Sequence, residues 1–386
     1  GLFLAYKLST TNQDILVLEQ TNRLGGRIHT ITKHNVSFEA GAARFSDKHE
    51  KLLSLLQELD MNDLLYALSD DIDFFHHKKQ ISYSLSKKLQ TLVKRSKKYS
   101  KKYLESISLL QLAIQLYGYE EAAKLQNMFG YDSEFEKMNA YSATTMFTKD
   151  LLSKVTYYII NGGLSILIDR LQKTLEETMN VEIKLNTRVE DIQDKCVTIN
   201  TESASKQIRC RKIISTIPLR DTIQIPIFKD LELQDYIEQI PLLRIYAKYP
   251  IPKNGKVWFH DMKRTITNNY IRHIIPIDYD KGLIMISYTD GMYATMWNQL
   301  SHKQIQDQLH TQIKSLFPRK IIPKPIFIEK YYWESGVHMW KVGANMNQLY
   351  KKILKPFDKK NIYICNEAFS KNQCWTEGSL DMAYDV

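Results

Sequence analysis

"ILVLEQTNRLGGRIHT", residues 15–30, joins a short apolar run to one acidic residue, Glu19, and then to two adjacent glycines. The run at 15–18 has the continuous apolar character of a parallel strand buried on both faces. A carboxylate at the end of such a strand can accept both ribose hydroxyls of an adenosine, as in dinucleotide-binding βαβ units. Gly25 and Gly26 let the backbone approach a pyrophosphate, which Arg27 can neutralise. This stretch therefore predicts a dinucleotide site.

The residues before this strand fit the same unit. "GLFLAYKLS", at the start of the chain, has its apolar positions on one side of a helix. A helix followed by a buried strand is the second half of a βαβ unit, so its first strand is expected before residue 1. Glu19 follows Gly1 by 18 residues, which fits Gly1 as the third glycine of a GxGxxG motif. The chain is thus expected to begin inside that motif.

Composition narrows the class of protein. The 386 residues, 44% hydrophobic and 25% charged, can build a large core and favour two domains. We see neither the roughly 20 apolar residues that a membrane-spanning helix needs nor a signal peptide at the start. The four cysteines (Cys196, Cys210, Cys365 and Cys374) are too scattered for a zinc site or a disulfide framework. A reducing, cytoplasmic location is expected.

The net charge of +10 raises a nucleic-acid hypothesis, whose best support is the basic run "KKLQTLVKRSKKYSKKY" at 87–103. That run matches no nucleic-acid-binding motif, and charge alone informs about steering and solubility rather than fold. A solvated helical face is the favoured interpretation. The competing hypothesis depends on Lys97, Lys98, Lys101 and Lys102.

Periodicity predicts the remaining organisation. Asp47 is placed to cap a helix with Glu50 reaching back, and residues 85–152 read as a helical layer. Short strands are predicted at 181–185, 188–192, 197–201 and 209–217, and further strands at 242–288 and 326–333, with a helix at 301–317 between them. No repeat or low-complexity linker separates these segments, so the domains are expected to be interleaved.

The sequence resembles the flavin-containing amine oxidase family, which includes monoamine oxidases, polyamine oxidases and flavin-dependent histone demethylases. The resemblance covers essentially the whole chain. Beyond the opening stretch it rests on "FEAGAARFS" (38–46), "NGGLSILIDRL" (161–171), "IKLNTRVEDI" (183–192), "IISTIPL" (213–219), "IYICNEAFS" (362–370) and "CWTEGSLDMA" (374–383). It implies an α/β protein in which a Rossmann-like, glutathione-reductase-type FAD domain (1–75, 155–220 and 350–386) is interleaved with a helical insert (76–154) and a mixed-sheet substrate domain (221–349).

The resemblance also implies that FAD is bound noncovalently. Glu19 would hold the adenosine ribose, Arg27 the pyrophosphate, and the backbone of Val189 the adenine. Glu367 would meet the ribityl and phosphate region, and the backbone of Thr376 would donate to the flavin ring at a helix N-terminus. The full set of cofactor-binding candidates is Gly1, Glu19, Thr21, Gly25, Gly26, Arg27, Gly41, Ala42, Ala43, Arg44, Val189, Glu367, Trp375 and Thr376. No metal is expected.

The sequence departs from the family pattern at several positions. Thr21 stands where many members carry arginine, and Asn366 replaces a glycine, which is expected to crowd the backbone there. The cysteine that some members attach to flavin would fall at 341–343, where this chain has none. The lysine that holds a water against flavin N5 is replaced by Arg244, which stays charged and cannot shuttle protons. Lys248 lies four residues along the same strand and is a weaker candidate for that role.

The implied reaction is oxidation of a C–N bond, by hydride transfer from a small-molecule amine to flavin N5 with oxygen as acceptor. Trp375 would form one aromatic wall beside the amine, and Trp340 the other, with Met339 or Val342 as alternatives. A cationic substrate would need a local acid, for which Glu334 and Asp290 are candidates, although each reads better as a surface carboxylate. A flavin dehydrogenase or desaturase, and a catalytically degenerate flavoprotein, remain alternative hypotheses.

Overall fold

The computed structural model describes residues 1–150, 155–201, 204–253 and 255–386, and it confirms the α/β class. The helices are α1 (Leu2–Leu8), α2 (Glu50–Glu58), α3 (Leu85–Ser96), α4 (Lys101–Glu105), α5 (Leu109–Tyr117), α6 (Tyr119–Phe129), α7 (Asp132–Glu136), α8 (Ala140–Asp150), α9 (Ser165–Glu176), α10 (Leu219–Thr222), α11 (Pro226–Lys229), α12 (Leu233–Tyr236), α13 (Gly291–Gln299), α14 (His302–Leu316), α15 (Met346–Leu354) and α16 (Thr376–Asp385). Short 3₁₀ turns lie at Asn62–Leu64 and Glu367–Phe369.

The strands are β1 (Ile15–Leu18), β2 (Thr30–Lys33), β3 (Val36–Glu39), β4 (Phe45–Ser46), β5 (Leu65–Ala67), β6 (Ile72–His76), β7 (Lys79–Ile81), β8 (Tyr157–Ile160), β9 (Val181–Lys184), β10 (Arg188–Gln193), β11 (Cys196–Asn200), β12 (Ser205–Arg209), β13 (Ile213–Ser215), β14 (Ile237–Lys248), β15 (Arg264–Thr267), β16 (His273–Asp278), β17 (Leu283–Asp290), β18 (Phe327–Trp340) and β19 (Ile362–Ile364).

Two parallel strand pairs carry the nucleotide-binding motifs. β1 pairs with β9, and β13 pairs with β19. Glu19 follows the carboxyl end of β1 directly, and its backbone N–H donates to the carbonyl of Lys184 at 2.9 Å. Ligands of α/β sheets bind at the carboxyl ends of parallel strands, so the motif stands where such a site is built.

A larger sheet lies beside these pairs, in the strand order β18-β14-β17-β16-β15-β6-β7. Its neighbours are antiparallel except for β15 and β6. β14 and β18 are the longest strands, and Arg244 of β14 stands directly opposite Tyr288 of β17. Helix α14 packs on the sheet through Ile305, Leu309 and Ile313, which belong to one buried cluster.

The predicted helical layer is present as α3 to α8, around buried leucines, alanines and phenylalanines. The predicted end of this layer, at 151–152, lies outside the described residues. Two lysines of the basic run form ion pairs within the layer, Lys88 with Glu121 and Lys101 with Glu105. Among the described residues, no helix is long and apolar enough to cross a membrane.

Two local predictions were wrong. The strand expected at 209–217 is two strands, because β12 ends at Arg209 and β13 begins at Ile213 in a different sheet. Asp47 does not cap α2, whose N-cap is His49 without a side-chain cap. The capping carboxylate comes instead from Glu377 of α16, which accepts the backbone N–H groups of Lys51 at 3.0 Å and Leu52 at 2.9 Å. A distant residue thus satisfies donors that sequence reasoning assigned to a neighbour.

We expect Glu377→Gln to lower the free energy of unfolding by about 1–2 kcal/mol, because one of the two N–H groups loses its acceptor at a buried position. Urea unfolding followed by circular dichroism measures this. Glu177→Gln, an exposed carboxylate just beyond α9, is the matched control and should change little. Equal unfolding curves for the two variants would contradict the role of Glu377.

Candidate active site

One cavity of about 2250 Å³ runs from the end of β1 to the start of α16. It is larger than the roughly 300–1,000 Å³ of ordinary small-molecule pockets. The residues that line it include all fourteen cofactor-binding candidates: Gly1, Glu19, Thr21, Gly25, Gly26, Arg27, Gly41, Ala42, Ala43, Arg44, Val189, Glu367, Trp375 and Thr376. The structure therefore brings together, around one space, residues that the chain spreads from its first position to position 376.

Glu19 is held at one end of this cavity by Thr21. The backbone N–H and the hydroxyl of Thr21 both donate to Oε1 of Glu19 at 2.8 Å. No side chain or backbone N–H of the described residues donates to the second carboxylate oxygen, and Val189 of β10 lines the same cavity. Thr21, which replaces an arginine of the family pattern, thus orients the carboxylate.

The two adjacent glycines form a turn that only glycine adopts easily, with φ of 98° at Gly25 and 55° at Gly26. Arg23 fastens this turn by donating to the carbonyls of Leu24, Gly26 and Ile28. On sequence alone, Arg23 was only one position of the motif. In the structure, its hydrogen bonds to three backbone carbonyls stabilise the loop. The result is a rigid loop with its backbone against the cavity.

Gly41 packs the next loop onto the first. A Cβ atom at position 41 would lie 1.8 Å from the carbonyl oxygen of Arg27, far inside contact distance. The N–H of Ala42 donates to that same carbonyl at 2.9 Å. The two loops can approach this closely only because position 41 has no side chain.

Arg27 lies at the centre of a network of hydrogen-bonded polar groups. Its guanidinium donates to Glu367 at 2.8 Å and to the carbonyl of Gly336 at 2.9 Å. Glu367 also lies 2.8 Å from Nδ1 of His338 and accepts the backbone N–H of Cys374. Burial alone would raise the pKa of Glu367, but Arg27 and His338 outweigh it and lower that pKa to about 2.

His338 is fully buried, and burial lowers its pKa, so the neutral imidazole is favoured. Because an ionised carboxylate only accepts hydrogen bonds, Nδ1 carries the proton and donates it to Glu367. Nε2 then faces the hydroxyl of Ser335 at 3.0 Å. This histidine could not be predicted, since a single His on a long strand matches no motif.

Asn366 does not crowd the backbone, contrary to expectation. Its φ of −153° belongs to extended backbone that any residue adopts. Its side chain donates to the carbonyl of Ile217 at 2.8 Å and accepts the N–H of Ala368 at 2.9 Å. The residue therefore links the loop after β13 to the turn that carries Glu367.

An aromatic group forms another part of the cavity wall. The rings of Trp375 and Tyr157 are stacked, with centroids 6.1 Å apart and planes 23° apart. The guanidinium of Arg44 lies 5.1 Å from the Tyr157 ring and 6.0 Å from the Trp375 ring, within cation–π range. His49 meets Trp375 edge-on at 4.8 Å. The structure thus offers Tyr157, which sequence reasoning missed, as the companion of Trp375.

Trp340 was a wrong choice for that companion. It is 1% exposed, donates from its indole N–H to the carbonyl of Ser370, and packs in a core cluster rather than against the cavity. Met339 is also buried in a core cluster, and Val342 is exposed at the surface. Cavity contact along β18 ends at Val337, so the segment at 341–343 lies beyond the lining.

Arg244 does face the cavity. Its guanidinium lies 4.7 Å from the ring of Tyr288 and donates to the carbonyl of Glu39 at 3.0 Å. Burial opposes its charge, but Tyr288 and Tyr246 offset that effect, and the pKa of Arg244 rises above its ordinary value. Lys248 lies outside the lining, and its ammonium donates to the carbonyl of His34.

The two acidic candidates differ from each other. Glu334 also lines the cavity, but it is an exposed carboxylate paired with Arg220, as expected. Asp290 is 2% exposed and lines the cavity, so reading it as a surface carboxylate was wrong. Its two oxygens accept the backbone N–H groups of Asp132 at 3.1 Å and Ser133 at 2.8 Å, at the start of α7. Glu134 also lines the cavity, and no motif had drawn attention to it.

The arrangement fits FAD. A half-buried carboxylate at the end of a parallel strand, a glycine turn with its backbone exposed to the cavity, and an arginine beside it suit a ribose and a pyrophosphate. The aromatic group and the start of α16 suit a planar ring with an electron-rich edge. Glu19, Arg27, Arg44 and Thr376 are the residues that would hold the cofactor.

Glu367 makes stability depend on pH. Because its native pKa of about 2 lies below the ordinary 4.5, its stabilisation is complete above pH 4.5 and is lost as the pH falls toward 2. The full effect is about 3 kcal/mol. We expect Glu367→Gln to flatten this acid limb in urea titrations, while Glu334→Gln keeps the wild-type slope. An equal fall in the free energy of unfolding below pH 4.5 in wild type and Glu367→Gln would contradict the assignment.

Comparisons with known proteins agree with this geometry. Residues 1–385 match the family described as "Flavin containing amine oxidoreductase". The fold is similar to that of putrescine oxidase variants made in a structure-based redesign of cofactor binding, one with a TM-score of 0.78 at 14% identity and one with 0.75 at 13%. Each comparison covers 100% of this chain and 94% of the other. No curated protein sequence matches. The chain belongs to the flavin-containing amine oxidoreductase family and is a flavin-containing amine oxidase with FAD as its cofactor.

Proposed function

We propose that the protein oxidises the C–N bond of a small amine and uses molecular oxygen as the electron acceptor. The reaction consumes a primary amine, oxygen and water and yields an aldehyde, ammonia and hydrogen peroxide. The observation that carries the proposal is a single cavity that joins the nucleotide-binding residues around Glu19 and Arg27 to the aromatic group around Trp375. When bound, FAD supplies the two-electron oxidation that side chains alone cannot perform.

The aromatic residues have the task of orienting the amine. Trp375 and Tyr157 present parallel faces at the cavity wall, and such faces attract an amine and exclude water from it. Trp375 is the N-cap of α16, and Glu377 ties that helix to α2. The wall is therefore fixed by secondary structure, as a positioning group requires.

Arg244 has the task of supplying a fixed positive charge. Electron transfer to oxygen builds up negative charge, and a buried guanidinium that needs no reorganisation stabilises it. Tyr288 and the carbonyl of Glu39 hold this guanidinium in place. Arginine does not release its proton under ordinary conditions, so it contributes charge without proton transfer.

We extend the proposal to the domain division expected from the sequence. Residues 1–75, 155–220 and 350–386 would form the FAD-binding part, and 76–154 with 221–349 the substrate side. In support, Glu19, Val189 and Glu367 come from the first group, whereas Arg244 and Tyr288 come from the second.

Anaerobic mixing of the FAD-loaded protein with a panel of amines tests the amine oxidation. We expect the flavin absorbance to bleach, and Trp375→Ala to slow bleaching by about 10- to 100-fold because the amine loses its orientation. Trp340→Phe is the matched control, since Trp340 lies in the core, and should bleach at the wild-type rate. Flavin that no amine bleaches would refute the catalytic proposal.

Oxygen use is tested by mixing the reduced protein with air-saturated buffer. We expect Arg244→Met to slow reoxidation by about 10- to 100-fold, because the fixed charge is lost, while Arg244→Lys keeps most of the rate. The measured quantity is the rate at which flavin absorbance returns. Identical rates in all three proteins would remove Arg244 from this role.

The arginine at position 244 also motivates a second candidate function, a flavin dehydrogenase that passes its electrons to an acceptor other than oxygen. Wild-type protein that is reduced by an amine but reoxidised by air only over hours would favour it. A catalytically degenerate flavoprotein would be favoured by two results together. No amine would reduce the flavin, and Arg244→Lys would not increase turnover.

A further inference from the structure

Arg264 stands out among the arginines of the cavity wall. It is the first residue of β15, and its side chain lines the cavity. Its Nε is buried without a hydrogen-bond partner, and the side chain makes no hydrogen bond or ion pair with the residues that the structure describes. The comparison with Arg272 is instructive, because that fully buried arginine pairs with Asp132 at 2.8 Å and donates to the carbonyl of Thr267 at 3.1 Å.

The neighbourhood of Arg264 carries excess positive charge. Arg44 donates to the hydroxyl of Tyr131 at 3.4 Å, and Arg244 donates to the carbonyl of Glu39 and lies against the ring of Tyr288. Within the described parts of the chain, neither forms an ion pair with a carboxylate. Burial, followed by the charge of Arg44, lowers the pKa of Arg264 to about 10, so it remains charged near neutral pH. Burial and Arg264 also keep the pKa of His273 well below its usual range.

The acids nearby do not neutralise this charge. Asp290 uses both carboxylate oxygens on the first N–H groups of α7, and Asp132 is paired with Arg272. Burial, followed by the charge of Asp290, raises the pKa of Glu134 well above its usual range, which favours its uncharged form. The guanidinium groups of Arg44, Arg244 and Arg264 therefore line the cavity without an ion pair to a carboxylate among the described residues.

A desolvated cation without a partner is costly, and an anion that binds beside it recovers much of that cost. A guanidinium with its terminal N–H groups free offers a planar fork that matches a carboxylate with two parallel hydrogen bonds. A second cationic group on the substrate would meet repulsion at the same place. The positive charge around Arg264 therefore favours amines whose other end carries an anionic group over amines whose other end carries a second cation.

We propose that the physiological amine carries a carboxylate, and that Arg264 is the residue that binds this carboxylate and so determines substrate specificity. The inference rests on the proposed amine oxidation and narrows its substrate to amino acids or other amines with an anionic group. The similar structures come from an enzyme named for a diamine. The positive charges near Arg264 instead favour a negatively charged group at the end of the substrate away from the amine.

The first experiment needs no variant. FAD-loaded wild-type protein is mixed anaerobically with butylamine, 1,4-diaminobutane and 4-aminobutanoate, and separately with phenethylamine and L-phenylalanine. We expect the carboxylated member of at least one set to give a second-order rate of flavin bleaching at least about 10-fold above its uncharged counterpart. A preference for the uncharged amine in both sets, or for the diamine, would overturn the inference and leave the amine oxidation intact.

The second experiment measures binding without catalysis. Benzoate, which has no amine to oxidise, is titrated into the oxidised protein while the flavin spectrum is followed. We expect Arg264→Gln to weaken benzoate binding about 10- to 100-fold and Arg264→Lys to restore part of it. Lys263→Gln removes the adjacent charge, which is exposed and paired with Asp71 at 3.1 Å, and should bind benzoate like wild type.

Folding does not confound these variants, because the Arg264 side chain makes no bond to the described residues that its replacement would break. Thermal unfolding of cofactor-free Arg264→Gln should occur at or above the wild-type temperature, since an unpaired charge is removed. Benzoate binding that is equal in wild type and Arg264→Gln would overturn the assignment. If no amine bleaches the flavin at all, the proposed function fails and this inference fails with it.

Discussion

The ion pair between Arg27 and the buried carboxylate of Glu367 is the constraint on which the rest of the cavity depends. It joins positions 340 residues apart in sequence and is reinforced by His338 and by the backbone of Cys374. An ion pair taken out of water is stable only when its remaining donors and acceptors are also satisfied. Here Gly336 accepts from Arg27, and Ser335 lies against the far nitrogen of His338. The glycine turn, the end of β18 and the turn before α16 are thereby held in one geometry.

The parts of the site that the sequence predicted are local. β1, its terminal carboxylate and the glycine turn occupy consecutive residues, so their order along the chain already fixes their order in space. The same holds for α16 and Trp375. The prediction at Asp47 failed for the opposite reason, because the carboxylate that caps α2 is contributed by Glu377, 330 positions after Asp47. No local pattern indicates such a partner.

Trp340 illustrates a second limit of predicting the site from the sequence. Deciding which residues of β18 face the cavity requires the register of the strand, and the pairing of β14 with β18 shifts between Ile240 and Leu242. Between these two paired positions β18 carries two residues more than β14, and no local sequence pattern marks such an irregularity. The family resemblance, which carries no information about this register, therefore placed Trp340 at the cavity wrongly. Arg264 was missed for a related reason, since a lone arginine at a strand start becomes informative only when its lack of partners is visible.

Gly41 shows how tightly the chemistry of the site limits its sequence. The carbonyl that leaves no room for a side chain at position 41 belongs to Arg27, whose guanidinium holds Glu367. Any larger residue there would have to rotate that peptide and move the charge network with it. A library built to alter which molecules this protein accepts should consequently keep position 41 invariant.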